Sequence, residues 1–261
     1  MNLGLIAITD EGVKIAERIK NNIRDEITLF LPQKMKNADI KATYYSKNLG
    51  NHIEKIFTEY EGFIFIMASG IVVRIIAPFI KNKHTDPAVV VVDDVGRSVI
   101  SLLSGHEGGA NKLAHRVANI LKTDAIITTG TEAKKDIIIG IGCKRDVASK
   151  DVKDAIKNAL RKAKVSIKRV RLAGTVDIKA HEPGLLNALE ELNIPLRIVS
   201  RQEIDTCAKN YTKSDFVEKK IGVGGVCEPA ALISGRKTKL ILKKQKFPGV
   251  TIAIAQEKFS W

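Results

Sequence analysis

The segment from Asp86 to Asn111, DPAVVVVDDVGRSVISLLSGHEGGAN, constrains the fold of this chain more than any other part of it. It contains two β-branched apolar runs of strand length and then a glycine-rich loop that carries Ser104, His106 and Glu107. The sequence KLAHRVANILK that follows has the apolar spacing of an amphipathic helix. A strand that leads through a glycine loop into a helix is a common ligand site in open α/β sheets.

The alternation of strands and helices predicts two layered α/β domains with largely parallel or mixed sheets. The first covers residues 1–133 and contains the SGHEGGAN loop, and the second covers residues 134–261. In the second domain a strand-like DIIIGIGC precedes a helical KDVKDAIKNALRKA, for which Ser149 is the predicted N-cap. Ser166–Ala173 is predicted as a further strand of this domain.

The formal net charge of +14 is distributed unevenly between the two halves. Residues 1–133 hold 16 Lys and Arg against 15 Asp and Glu, whereas residues 134–261 hold 27 against 14, so the net charges are +1 and +13. A strongly positive domain favours an anionic ligand. A lysine-rich surface of the kind that thermophilic proteins carry accounts for the same numbers, and both interpretations stand.

Composition excludes several classes of protein. No apolar run reaches the ~18–20 residues of a membrane span, and the first residues lack a basic leader, so we expect a cytoplasmic protein without membrane contact. Cys143, Cys207 and Cys227 lack metal-ligand spacing, so reduced thiols and no bound metal are expected. Sparse aromatic residues argue against nucleic-acid binding, and an RNA-binding basic protein is the remote alternative.

The loop that precedes the predicted helix is the first candidate site. His106 is a candidate catalytic base or acid, because histidine exchanges protons near neutral pH, and Ser104 and Glu107 are candidate catalytic neighbours. The glycines let a ligand approach the backbone, and N–H groups at the helix start can hold an oxyanion or a carboxylate. The candidate substrate contacts of this loop are Gly105, Gly108, Gly109 and Asn111. A helix-capping histidine and a solvated glutamate are the structural alternatives.

Two further groups of the first half are candidate substrate contacts. Ser69 and Gly70 follow the apolar run FIFIMA, and Arg74 lies about one helical turn later, so it could point back to the same cleft. A guanidinium suits a bidentate grip on a carboxylate, and a surface salt bridge is the alternative. Asp86 lies on a polar loop before a strand and is the other candidate.

In the second half, the segments TVDIKAHEPG and GVGGVCEPAA place polar residues beside glycine or proline turns. Lys179, Glu182 and Glu228 are the candidate substrate contacts of these segments, and structural ion pairs are the alternative. The GIGC sequence at Gly140 lacks the remaining residues of a dinucleotide-binding or P-loop motif, so it does not predict a nucleotide site.

Sequence blocks in both halves of the chain resemble a known family. The block IVVRIIAPFIKNKHTDPAVVVVDDVGRSVISLLSGHEGGANKLAHRVANILKTDAIITTGT is similar to the N-terminal module of the CbiG, or cobalt-precorrin-5A hydrolase, family. The pieces GIGCKR, TVDIKAHEPGLL, SRQEI, GVGGVCEPAAL and LILKKQK with TIAIA resemble the C-terminal module of that family. Longer members carry a middle module, which is absent here because ITTGTEA runs within a few residues into DIIIGIGCKR.

The resemblance implies an enzyme of anaerobic cobalamin biosynthesis. Such a hydrolase opens the δ-lactone of cobalt-precorrin-5A and releases acetaldehyde to give cobalt-precorrin-5B. The implied partners are a small corrinoid substrate and neighbouring pathway enzymes. No cofactor of the protein is implied, since cobalt arrives within the substrate.

The resemblance and the residues together suggest a mechanism. His106 or a nearby carboxylate activates water, and N–H groups from Gly108 to Asn111 stabilise the oxyanion. Arg74 and C-terminal lysines hold the peripheral carboxylates of the substrate in a cleft between the domains. A non-catalytic corrinoid carrier or scaffold is the alternative, which the missing module makes more attractive.

Overall fold

The protein is described by a computed structural model that covers residues 1–37, 39–46, 48–207 and 225–258. The chain divides into two compact units, Met1–Thr129 and Gly130–Trp261. The division lies four residues before the domain boundary that the sequence suggested. Each unit has a mixed sheet flanked by helices, so the predicted α/β fold class is confirmed.

The first unit is built on a seven-stranded sheet. Its strands are β1 (Asn2–Ala7), β2 (Glu26–Pro32), β3 (Thr43–Tyr45), β4 (Gly62–Ile66), β5 (Ala88–Val92), β6 (Val99–Leu103) and β7 (Ala125–Ile126). Their order across the sheet is β3-β2-β1-β4-β5-β6-β7. The first five strands are parallel, and β6 runs antiparallel to β5. Only residues 93–98 connect β5 to β6, which is too short for a parallel crossover.

Two pairs of helices cover the two faces of this sheet. The helices of the unit are α1 (Asp10–Asn22), α2 (Leu49–Ile56), α3 (Ser69–Ile76) and α4 (Ala110–Leu121). Buried Val13 of α1 and Leu113 of α4 share one core with β1 and β5. Buried Ile53 of α2 and Val72 of α3 pack against the opposite face, on the aromatic side chain of Phe63. The strands β4 and β5 are buried at every position, as expected for strands covered on both faces.

The second unit has a five-stranded sheet. Its strands are β8 (Ile137–Cys143), β9 (Val170–Val176), β10 (Leu196–Val199), β11 (Thr238–Phe247) and β12 (Val250–Glu257). The described helices are α5 (Gly130–Ala133), α6 (Ser149–Lys162), α7 (Pro183–Glu191), α8 (Arg201–Asp205) and α9 (Cys227–Ile233). The strand order is β10-β9-β8-β12-β11, with β8, β9 and β10 parallel and β12 antiparallel to both of its neighbours.

Glycines on β8 and β9 allow α9 to approach the sheet closely. Gly140 and Gly174 are partners in the register of these strands. A Cβ on Gly140 would collide with the carbonyl oxygen of Cys227, and one on Gly174 would lie 2.7 Å from the carbonyl oxygen of Ala230. The first glycine of GIGC therefore serves the packing of a helix on the sheet.

Two predictions for the second unit were wrong. The N-cap of α6 is Ala148, and Ser149 is the first helical residue, whose hydroxyl donates to Glu191 Oε1 at 3.2 Å. The segment Ser166–Ala173 does not form one strand, because Ser166 caps a short 3-10 turn and β9 begins at Val170. The Ser149 hydroxyl thus bonds to a distant glutamate, and the Ser166 hydroxyl accepts the backbone N–H of Lys168. Neither hydrogen bond could be predicted from the position of the serine in the sequence.

The helices and the cysteines of the fold bear on two expectations from the composition. Within the described ranges, none of the helices combines the length and the apolar character that a membrane crossing requires. The thiols of Cys143, Cys207 and Cys227 are unbridged. Cys227 is buried, and burial raises the pKa of its thiol to about 11.

Candidate functional site

The SGHEGGAN loop lies at the edge of the first sheet where β4 and β5 begin. Val92 pairs with Val99 and Val89 pairs with Leu103, so the antiparallel β6 ends beside the start of β5. The loop leaves the sheet at that point and leads into α4. The reversal of β6 therefore decides at which edge of the sheet the candidate residues lie.

Three positions of the loop require glycine, two because other atoms approach closely and one because its backbone φ is positive. A Cβ on Gly105 would lie 2.7 Å from Thr129 Cγ2, and one on Gly108 would lie 2.5 Å from Ser104 Cβ, so both mark close approaches. Gly109 is the N-cap of α4 and has φ 88, in the left-handed region that glycine favours. The loop is consequently compact and closely packed at its base.

The first N–H groups of α4 are partly satisfied by the loop itself. The N–H of Ala110 donates to the carbonyl of Ser104 at 3.2 Å, and that of Asn111 donates to the carbonyl of Gly105 at 2.9 Å. The predicted oxyanion role is therefore wrong for these two groups. The N–H groups of Gly108 and Gly109 donate to no other described residue.

The tip of the loop presents its titratable side chains to solvent. His106 and Glu107 are both exposed, and neither forms a hydrogen bond or an ion pair with a described residue. An accessible imidazole can take a proton from a bound water molecule. The two side chains are therefore placed where a ligand can reach them.

Ser104, at the base of the loop, is held under strain. Its φ is 54, which is costly for a residue with a Cβ. The residue is 8% exposed, and its hydroxyl is buried without a hydrogen-bond partner in the described chain. Among the described residues with positive φ other than glycine, it is the one that is buried, since the others lie on the surface.

The amide of Asn111 is engaged with protein groups. Ser101 Oγ donates to Asn111 Oδ1 at 2.8 Å, and Asn111 Nδ2 donates to Thr129 Oγ1 at 3.1 Å. The three side chains join β6, the start of α4 and the chain that follows β7. We call these residues the Asn111 clamp. Direct contact of Asn111 with a substrate stays a prediction.

Asp86 lies beside the loop, but its carboxylate stabilises the turn formed by residues 81–86. Its carboxylate accepts hydrogen bonds from the backbone N–H groups of Lys81 and Asn82, at distances between 2.9 and 3.1 Å. Its carbonyl oxygen lies 3.3 Å from where a Cβ on Gly108 would be. Asp86 is buried, so it supports the base of the loop from the adjacent segment.

The Ser69–Arg74 segment and the glycine loop are not brought together by the fold. Ser69 and Gly70 follow the carboxyl end of β4, which is the edge of the sheet opposite to the loop. Arg74 folds back along α3, with Nη2 3.8 Å from where a Cβ on Gly70 would lie. The three residues are exposed and form a separate group, so the expectation that they share the cleft of the loop is wrong.

Lys179 and Glu182 form a buried ion pair in the second unit. Glu182 is 8% exposed and accepts from Lys179 Nζ at 3.1 Å and from the backbone N–H of Asp146 at 2.7 Å. Burial alone would raise the pKa of Glu182, but the bond and the charge of Lys179 and the backbone donors lower it below its ordinary value. The pair fixes the β8–α6 connection to the start of α7, which matches the structural alternative stated for it.

Glu228 is also committed to the fold. It lies in the first turn of α9, is 2% exposed, and accepts the backbone N–H of Lys244 at 2.7 Å. This bond joins the helix to β11. A substrate contact at Glu228 would require a carboxylate that is buried against the sheet to become accessible.

Ser101 and Thr129 are the residues near the loop that the sequence did not single out. Ser101 points from β6, where the strand pattern alone suggests an ordinary sheet position. The available signal was the hairpin-length connection of residues 93–98, which places the end of β6 beside Asp86. Across the part of the chain that the structure describes, no cluster of three or more His, Cys, Asp or Glu side chains suits a metal ion.

Two family models match this chain in succession. Residues 51–132 match the model described as Cobalamin synthesis G N-terminal, and residues 137–255 match Cobalamin synthesis G C-terminus. The chain belongs to the CbiG family. The N-terminal match includes the whole glycine loop and α3, and the C-terminal match includes Glu182 and Glu228.

Curated relatives align with this CbiG-family chain over nearly its full length. The Cobalt-precorrin-5A hydrolase of Priestia megaterium is 26% identical, and the alignment covers 96% of this chain and 94% of the relative. The Probable cobalt-precorrin-5A hydrolase of Methanocaldococcus jannaschii is 28% identical, with 98% and 99% covered. Protein CobE of Sinorhizobium sp is 30% identical over 48% of this chain and 82% of its own length.

The two full-length relatives are longer than this member of the family. Their alignments extend over 352 and 340 positions, whereas this chain has 261 residues. At least 91 and 79 positions of the relatives therefore have no counterpart here. Only residues 133–136 separate the two matched regions of this chain, in agreement with the predicted absence of a middle module.

Proposed function

We propose that this chain hydrolyses cobalt-precorrin-5A in cobalamin biosynthesis, opening its δ-lactone and releasing acetaldehyde to leave cobalt-precorrin-5B. The observation that carries the proposal is the full-length alignment with relatives named cobalt-precorrin-5A hydrolase, together with both family models in their order. The exposed His106 on a strained glycine loop supports it, because strain and accessible titratable groups concentrate at reaction sites.

In the proposed reaction, His106 removes a proton from water as the water attacks the lactone carbonyl. The N–H groups of Gly108 and Gly109 donate to the oxyanion that forms, since they have no partner in the described chain. Glu107 is the next residue in the chain, and its exposed carboxylate contributes negative charge that favours the protonated imidazole. Ser104 shapes the base of the loop beneath these groups.

The atoms balance with water as the second reactant. The oxygen of the water molecule enters the carboxylate, and the ester oxygen stays as a hydroxyl on the extruded carbon. Removal of the hydroxyl proton then forms the aldehyde carbonyl as the bond from that carbon to the macrocycle breaks. The macrocycle takes the electron pair of that bond and a proton, and acetaldehyde leaves.

Recognition of the substrate rests on charge in this proposal. The peripheral carboxylates attract the second unit, which carries the larger share of the positive charge. Lys179 is already paired with Glu182, so exposed cations such as Lys144 and Arg145 are better placed to meet a carboxylate. Ser69, Gly70 and Arg74 lie at the opposite end of the first sheet from His106, so the proposal assigns them no contact with the substrate that reacts on the loop.

The proposal needs no cofactor of the protein, because cobalt enters as part of the substrate. Neighbouring enzymes of the pathway are the proposed partners, since they deliver the lactone and receive the ring-opened corrinoid. The proposed compartment is the cytoplasm.

The deciding experiment is an anaerobic incubation of the purified full chain with cobalt-precorrin-5A, in which the released acetaldehyde is trapped and quantified. One acetaldehyde per substrate consumed supports the hydrolase. Substrate that binds and is recovered unchanged contradicts it.

A corrinoid carrier or scaffold is the second candidate function. The observation that favours it is the absence here of at least 79 positions present in the aligned relatives. The same incubation separates the two functions, because a carrier retains intact cobalt-precorrin-5A and yields no acetaldehyde at any protein concentration.

A further inference from the structure

The glycine loop is held in a conformation that is unfavourable by itself. Ser104 adopts left-handed φ and buries a hydroxyl that has no partner in the described chain. Such a conformation persists only where surrounding contacts enforce it. The contacts that enforce it determine where the next residues of the loop, above all His106, are placed.

The Asn111 clamp holds Gly105, the residue between Ser104 and His106. Asn111 holds the loop through its backbone N–H, which donates to the carbonyl of Gly105 at 2.9 Å. Its side-chain oxygen accepts from Ser101 at 2.8 Å, and its side-chain nitrogen donates to Thr129 at 3.1 Å. The amide oxygen is thus bonded to β6, and the amide nitrogen is bonded to the segment that follows β7.

Gly105 lies inside the clamp, with almost no space around it. A Cβ there would meet Thr129 Cγ2 at 2.7 Å and Asn111 Oδ1 at 2.8 Å. Any displacement of these two side chains is therefore transmitted to the backbone of Gly105. His106 is the next residue in the chain, so its imidazole moves with that backbone.

We propose that Ser101, Asn111 and Thr129 are positioning residues for His106 in the hydrolysis described above, on which this inference rests. None of the three needs to touch the substrate. Asn111, which the sequence suggested as a substrate contact, acts through the loop because both of its amide atoms are engaged. Thr129 is the last residue of the first unit, so the clamp also ties the loop to the end of that unit.

Thr129→Val is the most direct test, because valine keeps the size and the methyl group that faces Gly105 but lacks the hydroxyl. We expect kcat to fall about 10- to 100-fold with KM nearly unchanged, since a small displacement of a reacting group costs up to ~100-fold in rate. Thr129→Ser retains the hydroxyl and should recover most of the activity. Ser101→Ala should lower kcat in the same direction.

Thr175→Val is the matched control in the second unit. Thr175 is fully buried, and its hydroxyl donates to the carbonyl of Ile141 at 2.9 Å. Its loss should weaken the fold while leaving the kcat of the folded fraction unchanged. Wild-type kcat in Thr129→Val, measured on the folded fraction, would overturn the inference.

A second readout does not depend on turnover. The imidazole resonances of His106 should change in Thr129→Val, return in Thr129→Ser and stay unchanged in Thr175→Val. If the wild-type protein releases no acetaldehyde, the proposed function fails, but this comparison still tests the clamp. Identical His106 resonances in Thr129→Val and the wild type would show that the clamp does not position the histidine.

Discussion

In the first unit the polar side chains at the tip of the loop that follows β6 remain exposed, whereas those predicted in the second unit are buried and bonded. His106 and Glu107 have no protein partner among the described residues. Glu182 and Glu228 each accept backbone N–H groups and lie almost fully inside the fold. Polar residues beside a glycine or proline turn can therefore either stay available for a ligand or stabilise the fold. Whether the side chain is exposed or buried distinguishes the two roles.

The glycines of the two units also differ in burial: Gly140 is packed tightly in the second unit, whereas Gly109 is surrounded by open space in the first. Gly140→Ala, in the second unit, should lower the free energy of unfolding by about 3 kcal/mol, because its Cβ would collide with the backbone of α9. Gly109→Ala, at the start of α4, should cost only about 1 kcal/mol, since open space surrounds it and only its left-handed φ is at stake. Urea unfolding of the two variants measures both losses. A Gly140→Ala protein with wild-type stability would contradict the close approach of α9.

The carboxylates of α7 and its N-cap offer a second test. Glu182→Ala should cost about 2 kcal/mol of unfolding free energy, because it leaves Lys179 and the N–H of Asp146 without their buried acceptor. Glu191→Ala removes an exposed pair with Lys153 and should cost clearly less than Glu182→Ala, because solvent screens an exposed ion pair. Equal losses in the same urea titration would show that the Glu182 pair is no more than a surface contact.

The fold was more predictable than the site. The apolar runs of β4 and β5 and the spacing of α4 fixed these elements within a few residues, because local patterns encode them. The separation of Arg74 from the glycine loop depends on the direction of β6, which is a property of the whole sheet. The short 93–98 connection carried that information, although the largely parallel sheet was the stronger expectation.

Burial of single polar groups could not be predicted from the sequence. The HEPG and SGHEGGAN segments look alike in composition, yet Glu182 is enclosed by the β8–α6 connection and Glu107 faces solvent. The difference arises from residues distant in sequence, such as Asp146, which pack against one segment and not the other. Tertiary contacts of this kind determine which polar turns remain available for ligands.

A smaller change in stability is expected at two strained residues, Ser104 in the loop before α4 and Lys122 at the C-cap of α4. Ser104→Gly and Lys122→Gly should each raise the free energy of unfolding by about 1 kcal/mol, because both positions have left-handed φ. Only Ser104→Gly should also lower kcat, since it loosens the base of the reaction loop. Thermal unfolding and acetaldehyde release measure the two properties. A stabilised Ser104→Gly protein with full kcat would show that the strain has no functional role.

The smallest expected effect is a difference in the pH dependence of the two units. Burial, with the charge of Lys55, lowers the pKa of His52 in the first unit, so the contribution of His52 to stability is complete above about pH 6.5 and falls as the pH drops below it. In the second unit, the pKa of Glu182 is lowered, so its contribution is complete above about pH 4.3 and is lost only in stronger acid.

Hydrogen exchange measured between pH 7 and pH 4 should therefore show the first unit weakening before the second. His52→Phe removes the titrating group and should abolish the early loss, because phenylalanine can pack between Phe30 and Tyr45 without a charge. Simultaneous weakening of both units near pH 6 would contradict the assignment of the two windows.

The most direct test of the account is single-turnover acetaldehyde release by two histidine variants. His106 and His181 are both exposed, but only His106 lies on the glycine loop of the first unit. We expect His181→Ala to release one acetaldehyde per cobalt-precorrin-5A, as the wild type does, and His106→Ala to bind the substrate with a release rate at least ~100-fold lower. Full release by His106→Ala would contradict the claim that the chemistry takes place on this loop.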